Sequence, residues 1–129
     1  MNNTTRIILV RHGQSIYNQQ GLYQGCCDDS LLTEKGRLTA YQTGLFLSNI
    51  SLDAVYSSPL KRARETASEI LSAIATIADT HPELHVHQNL KEIDLPAWNG
   101  LSLNTFENTW LKIIAVGENA LTNFRWLLK

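Results

Sequence analysis

Apolar residues fall along this chain in three rhythms. Arg6-Ile7-Ile8-Leu9-Val10 is a continuous β-branched run. It lacks alternation, as expected of a strand buried on both faces of a parallel sheet. Asp53-Ala54-Val55-Tyr56-Ser57 predicts a second short strand, and the alternation in Leu84-His85-Val86-His87 predicts a third. Two stretches of helical period lie between them. Thr33 stands as N-cap to a helix over about 34–48, with Leu38, Tyr41, Leu45 and Leu52 on its expected inner face. Ser58-Pro59 supplies an N-cap and a first-position proline for the next helix. Its stripe is Leu60, Ala63, Ala67, Ile70, Leu71, Ile74 and Ile77, and His81-Pro82 ends it. Residues 11–32 are rich in Gly, Gln, Asn and Asp and read as loop with a short helix. From Asn104, the residues Phe106, Trp110, Ile113, Ile114, Gly117, Leu121 and Phe124 return to helical period. Strand, helix, strand, helix, strand is the order of an α/β fold, a mainly parallel sheet flanked by helices.

Composition narrows the class of molecule. The chain has 129 residues, 43% hydrophobic and 18% charged, with 11 Lys+Arg against 12 Asp+Glu. These values fit one soluble globular domain and exclude a disordered acidic tail, a collagen-like fibre and a disulfide scaffold. The formal charge of −1 argues against broad nucleic-acid binding, which needs a surplus of cations facing phosphates. No apolar run approaches the ~20 residues that span a bilayer, so no membrane partner is expected. Met1-Asn2-Asn3-Thr4-Thr5 has no basic stretch leading into an apolar core, which predicts a cytoplasmic protein. Cys26 and Cys27 are adjacent. Neighbouring cysteines bridge only with strain, so two free thiols are expected. The sequons, Asn49-Ile50-Ser51 among them, are then chance matches.

The chemistry sits at the ends of the predicted strands, where open α/β sheets bind ligands. Arg11-His12-Gly13-Gln14-Ser15 follows the first strand. Arg11 offers a planar fork of donors to phosphoryl oxygens. His12 supplies a neutral nucleophile near neutral pH. Gly13, without a Cβ, would let the backbone approach an anion. The amide of Asn18, one or two turns on, could donate to the same oxygens. After the second strand come Ser57-Ser58-Pro59-Leu60-Lys61-Arg62-Ala63. Arg62 lies in the first turn of the predicted helix, where a cation opposes the helix dipole unless a bound dianion sits between them. After the third strand, Glu92 is the first candidate and Asp94 the second for a carboxyl group that protonates a leaving alkoxide. Each group has a plainer reading as a surface His, a solvated basic patch or a loop carboxylate. The conjunction at three strand ends favours phosphoryl transfer.

At this point the chain resembles the histidine phosphatase superfamily, which includes the cofactor-dependent phosphoglycerate mutases. The likeness runs from about Arg6 to Leu103. RHGQS, then Tyr23-Gln24-Gly25 with Asp28, Asp29 and Leu32-Thr33-Glu34-Lys35-Gly36, then SSPLKRARETA, then LKEIDLPAWNG, stand in the family's order and spacing. The resemblance implies a phosphoglycerate mutase-like fold and a covalent mechanism. His12 would attack phosphorus and become phosphohistidine. Arg11 and Arg62 would hold the equatorial oxygens with help from Asn18, and Ser58 would cap the helix or touch phosphate. Glu92 would donate a proton to the leaving group and then serve as base for water. Gln24, Gly25 and the loop around Cys26 would lie near the substrate, a small phosphorylated metabolite. Neither metal nor other cofactor is implied. The EIDLPAWNG segment is similar to that of cyanobacterial and plant members acting on small sugar phosphates or phosphoglycerate.

One feature of the family pattern does not appear. The family places a second histidine late in the chain, in a His-Gly turn after another core strand, beside the nucleophile. His81, His85 and His87 do not lie in such a turn, and residues 104–129 contain no apolar β run ending in His-Gly. The sequence therefore divides into a histidine phosphatase portion, 1–103, and a divergent helical tail, 104–129, with the C-terminal part of the fold incomplete. Loss of one electrostatic ligand removes ~2.7–4 kcal/mol of transition-state stabilisation, so weak or absent turnover is expected. A phosphate-binding module without catalysis and a phosphoglycerate mutase-type phosphotransferase stand as alternatives. The open sheet edge left by an absent strand would be covered by a second copy, as a homodimer, or by the tail.

Overall fold

A computed structural model describes residues 4–78 and 82–105. The predicted tail helix, apart from its first residues, and the helix stop at His81 lie outside them. Helix α1 (Ile16–Gln20) is one short turn, capped by Ser15 and closed by Gly21 at φ 66°. Helix α2 (Glu34–Leu47) starts at Thr33, whose hydroxyl accepts from the Gly36 N–H. Strand β1 (Val55–Ser57), helix α3 (Lys61–Ile77) and strand β2 (Leu84–Val86) follow. The two strands pair in parallel, Val55 opposite Leu84 and Ser57 opposite Val86. A helix carrying the chain between parallel strands is the βαβ arrangement that the alternating pattern predicts. Short 3₁₀ turns at Gln88–Leu90 and Pro96–Trp98 shape the segment after β2. Among the described residues, no helix is long and apolar enough to cross a membrane.

The core is the contact between α2 and α3, where Ala40, Leu47, Ile70 and Ile74 form a buried cluster flanked by Ile50, Leu52 and Ala78. The predicted inner face of α2 is corrected here. Its buried residues are Gly36, Ala40, Gly44 and Leu47, whereas Leu38 and Leu45 are exposed. Closeness of approach decides this, not hydrophobicity. A Cβ on Gly44 would stand 2.7 Å from the Ala73 Cβ and collide with the Ile70 carbonyl. Small residues let two helix backbones draw together, and α2 turns its small face inward to do so.

The expected first strand is corrected as well. Residues 6–10 belong to no strand, and Ile7 and Leu9 are 76% and 91% exposed. A run apolar on both faces is buried only between sheet neighbours and covering helices. Among the described residues none pairs with it.

The third correction concerns the start of α3. The N-cap is Leu60, with no side-chain cap of its own, and the helix begins at Lys61. The Ser58 hydroxyl only meets the Leu60 N–H at 3.4 Å. The stronger partner comes from afar, the Asp28 carboxylate accepting from the Lys61 N–H at 2.5 Å. A carboxylate there satisfies an orphan donor and complements the positive end of the helix dipole. The loop at 24–28 is thereby pinned to the helix that carries Arg62.

Candidate functional site

His12 follows the extended segment 6–10 and sits half-buried. Its Nδ1 lies 2.7 Å from the Gly13 carbonyl oxygen. A carbonyl only accepts, so Nδ1 carries the proton and the neutral ring presents its lone pair at Nε2. Facing Nε2 at 3.5 Å is the side-chain nitrogen of Gln24. That amide is oriented by Ser15, whose buried hydroxyl donates to Gln24 Oε1 at 2.7 Å. Burial lowers the His12 pKa below its ordinary 6.5. The bond to Gly13 opposes this, the charges of Arg62 and Arg11 reinforce it, and Glu92 opposes it. The net effect favours the neutral imidazole.

Gly13 serves a different partner from the one its lack of a Cβ suggests. A Cβ there would stand 3.0 Å from the Gly36 carbonyl carbon and 3.2 Å from its Cα. The glycine lets the His12 turn cross the first turn of α2, with no anion needed to explain it. Around this crossing, the Thr33 N–H donates to the Gln14 carbonyl at 2.9 Å and the Ile16 N–H to the Leu31 carbonyl at 2.9 Å. On the other side, the Gly13 N–H donates to Thr66 Oγ1 at 2.9 Å, and Thr66 donates to the Arg62 carbonyl at 2.7 Å. Thr66 thus fixes the backbone next to His12 to the helix that bears Arg62. Sequence reasoning passed over it, although its position four residues after Arg62 is the usual spacing for such a hydroxyl bond.

Arg62 is 2% exposed. Its Nη2 donates to the Gly25 carbonyl at 2.6 Å and its Nη1 to the Cys27 carbonyl at 2.9 Å. A guanidinium has further N–H donors, and the buried Nε has no partner. Burial lowers the Arg62 pKa, while Glu92 and Asp28 oppose that shift. An arginine nonetheless stays protonated in proteins. Arg62 is thus a buried cation with one donor unsatisfied, and its charge is felt by His12.

The remaining candidates gather less tightly. Arg11 is exposed, yet its charge reaches His12. Asn18 turns Oδ1 toward Ser15, accepting from its N–H at 3.1 Å in a reciprocal cap. Glu92 is exposed, its Oε1 accepting from the Ile93 N–H at 2.9 Å, and its charge is felt by both His12 and Arg62. Gln24 and Gly25 are buried against the site, Gly25 at φ 43° with Ile93 O 3.1 Å from where its Cβ would stand. Ser58 is half-buried and bonds Leu60, so it neither caps α3 nor meets His12 in these contacts. His85 packs on Tyr56 with ring centroids 5.2 Å apart, and His87 accepts from the Asn89 N–H; neither joins His12. Among the described residues, no group of three or more His, Cys, Asp or Glu is placed to hold a metal ion.

The pattern of the histidine phosphatase superfamily (branch 1) matches residues 7–124. The chain belongs to this superfamily. It is 43% identical over 97 residues to the 2-carboxy-D-arabinitol-1-phosphatase of Triticum aestivum, covering 74% of this chain and 18% of that protein. It is 40% identical over 96 residues to phosphoserine phosphatase 1 of Hydrogenobacter thermophilus, covering 74% of this chain and 42% of that one. Among solved structures, the phosphoglycerate mutase of Bacillus anthracis superposes with a TM-score of 0.71 at 30% identity, covering 81% of this chain and 44% of that chain. The phosphoglycerate mutase-like α/β architecture expected from the sequence is therefore the observed one. The chain spans less than half the length of these relatives.

Proposed function

We propose that this histidine phosphatase domain hydrolyses small phosphomonoesters through a phosphohistidine on His12. The carrying observation is that the unprotonated Nε2 of His12 shares its surroundings with the buried Arg62, whose Nε is unpartnered, and with the carboxyl of Glu92, both of whose charges reach the His12 ring. The Nε2 lone pair forms the N–P bond as the P–O bond to the leaving group breaks. Arg62, with Arg11 and the Asn18 amide, takes the charge that spreads over the equatorial oxygens. Glu92 passes its proton to the departing oxygen. Water then attacks phosphorus, the N–P bond breaks, and the Glu92 carboxylate takes the water's proton. Relatives named for phosphoserine and 2-carboxy-D-arabinitol 1-phosphate point to small phosphorylated metabolites as the substrate class. We expect turnover well below ordinary enzyme rates, since neither His85 nor His87 stands beside His12 as a second phosphoryl ligand.

The test is the covalent intermediate. Incubation with a labelled phosphomonoester, followed by mass analysis, is expected to show an acid-labile, base-stable phosphoryl group on His12. Phosphate binding without labelling would make the domain a binding module instead. The labelling rate should also carry a distinctive acid limb. Because the folded His12 pKa lies below 6.5, the nucleophile stays neutral as pH falls through 6.5 and protonates only at lower pH. Single-turnover labelling across pH 5–8 checks this, and a half-maximal point above 6.5 refutes it. The same shift makes stability fall as pH drops from 6.5 toward the folded pKa, because there the unfolded chain binds the extra proton.

A further inference from the structure

The proposed chemistry leaves the two cysteines unused, and they differ in what they touch. Cys27 Sγ donates to the Asp29 carboxylate at 3.5 Å. Cys26 Sγ donates to the backbone carbonyl of Glu92 at 2.7 Å. Cys26 is also bracketed in sequence by the two residues, Gly25 and Cys27, whose carbonyls accept from Arg62. The thiol therefore joins a loop fixed by the phosphate-binding arginine to the residue that carries the acid. The far end of the 92–100 segment is tied separately, through Gly100 N–H to the Tyr23 carbonyl, Tyr23 N–H to the Leu101 carbonyl, and the edge-on packing of Tyr23 against Trp98. At the Glu92 end the cross-loop bond among the described residues is that of Cys26. Among the described residues, the carboxyl itself bonds only its own neighbour, the Ile93 N–H.

We infer that Cys26 is a positioning residue for the proton donor, holding the Glu92 backbone in register with Arg62 so that the carboxyl stands over the leaving group. This rests on the reading of Glu92 as the acid. A thiol is a weak donor, so the tie is one that a hydroxyl can replace and a methyl cannot. It also exposes the site to thiol chemistry. Alkylation of Cys26 by iodoacetamide forms an S–C bond with loss of iodide and the thiol proton, and removes the donor.

Two measurements on the full chain decide it. In amide hydrogen exchange, Cys26→Ala is expected to speed exchange across 92–100 while leaving α2 and α3 unchanged, and Cys26→Ser is expected to restore protection. In turnover, Cys26→Ala is expected to lose about tenfold on an alkyl phosphomonoester such as glycerol 2-phosphate, a fraction of what a general acid contributes. On 4-nitrophenyl phosphate, whose leaving group needs no proton, it should lose less than about twofold. General loosening of the fold would depress both substrates alike. Unchanged exchange at 92–100 in Cys26→Ala, failure of serine to rescue, or equal losses on the two substrates would each overturn the inference. A wild-type chain that hydrolyses neither substrate defeats the proposed function instead, and the exchange measurement then decides the Cys26 tie alone.

Discussion

Replacing His12 by asparagine is expected to abolish phosphoenzyme formation and to reduce any hydrolysis by at least about 10³-fold, to near background. Asparagine keeps a polar group of similar size at the turn but offers no nitrogen lone pair able to form a P–N bond. The turn itself should persist. The bonds that hold it are made by the Gly13 N–H, the Gln14 carbonyl and the Ile16 N–H, and among the described residues the ring bonds only the carbonyl of the next residue and, at 3.5 Å, Gln24. An unchanged melting temperature beside a lost label would separate chemistry from folding. Glu92→Gln supplies the contrast. Glutamine cannot give up a proton to an alkoxide or take one from water, so an activated aryl phosphate should still label His12 while release of the phosphoryl group slows. Label would then accumulate in Glu92→Gln and vanish in His12→Asn. Label surviving in His12→Asn would place the nucleophile elsewhere.

The candidate groups could be picked out because each is tied to a local signal. An apolar run followed by Arg-His-Gly, a helix start holding an arginine and a loop carboxylate after a strand can all be read within a few residues. What tertiary contact decides could not be read. The run at 6–10 announces that it wants covering on both faces, yet nothing in it says whether cover is present, and Ile7 and Leu9 stand exposed. Ser58-Pro59 has the composition of a helix start. It lost to Asp28, thirty-three residues before Lys61 in sequence, because a carboxylate also complements the positive end of the helix dipole. Gly13 suggested an anion because the motif did; its actual neighbour is the backbone of Gly36. Such long-range pairings leave no mark in periodicity.

The inner face of α2 is the sharpest of these cases and yields the largest expected change in stability. On helix propensity alone, Gly44→Ala should stabilise the protein by about 0.5–1 kcal/mol, since glycine in mid-helix is conformationally expensive. The packing predicts the opposite sign. The new methyl would stand 2.7 Å from the Ala73 Cβ and 2.9 Å from the Ile70 Cα, besides meeting the Ile70 carbonyl. Two of those three atoms are backbone, so no side-chain rotation relieves them, and α2 must move off α3. Overpacking of a tight contact costs about 1–3 kcal/mol and more where backbones must separate, which exceeds the propensity gain. The separation would also reach the site, because α3 carries both Arg62 and Thr66, and Thr66 holds the Gly13 N–H. Gly44→Ala should therefore lower the melting temperature by several degrees and reduce His12 labelling, although residue 44 touches neither substrate nor nucleophile. Thermal unfolding followed by circular dichroism, with labelling measured well below the transition, checks both parts. A melting temperature that rises would show that the helices have room to part, and that propensity rather than proximity governs the α2–α3 contact.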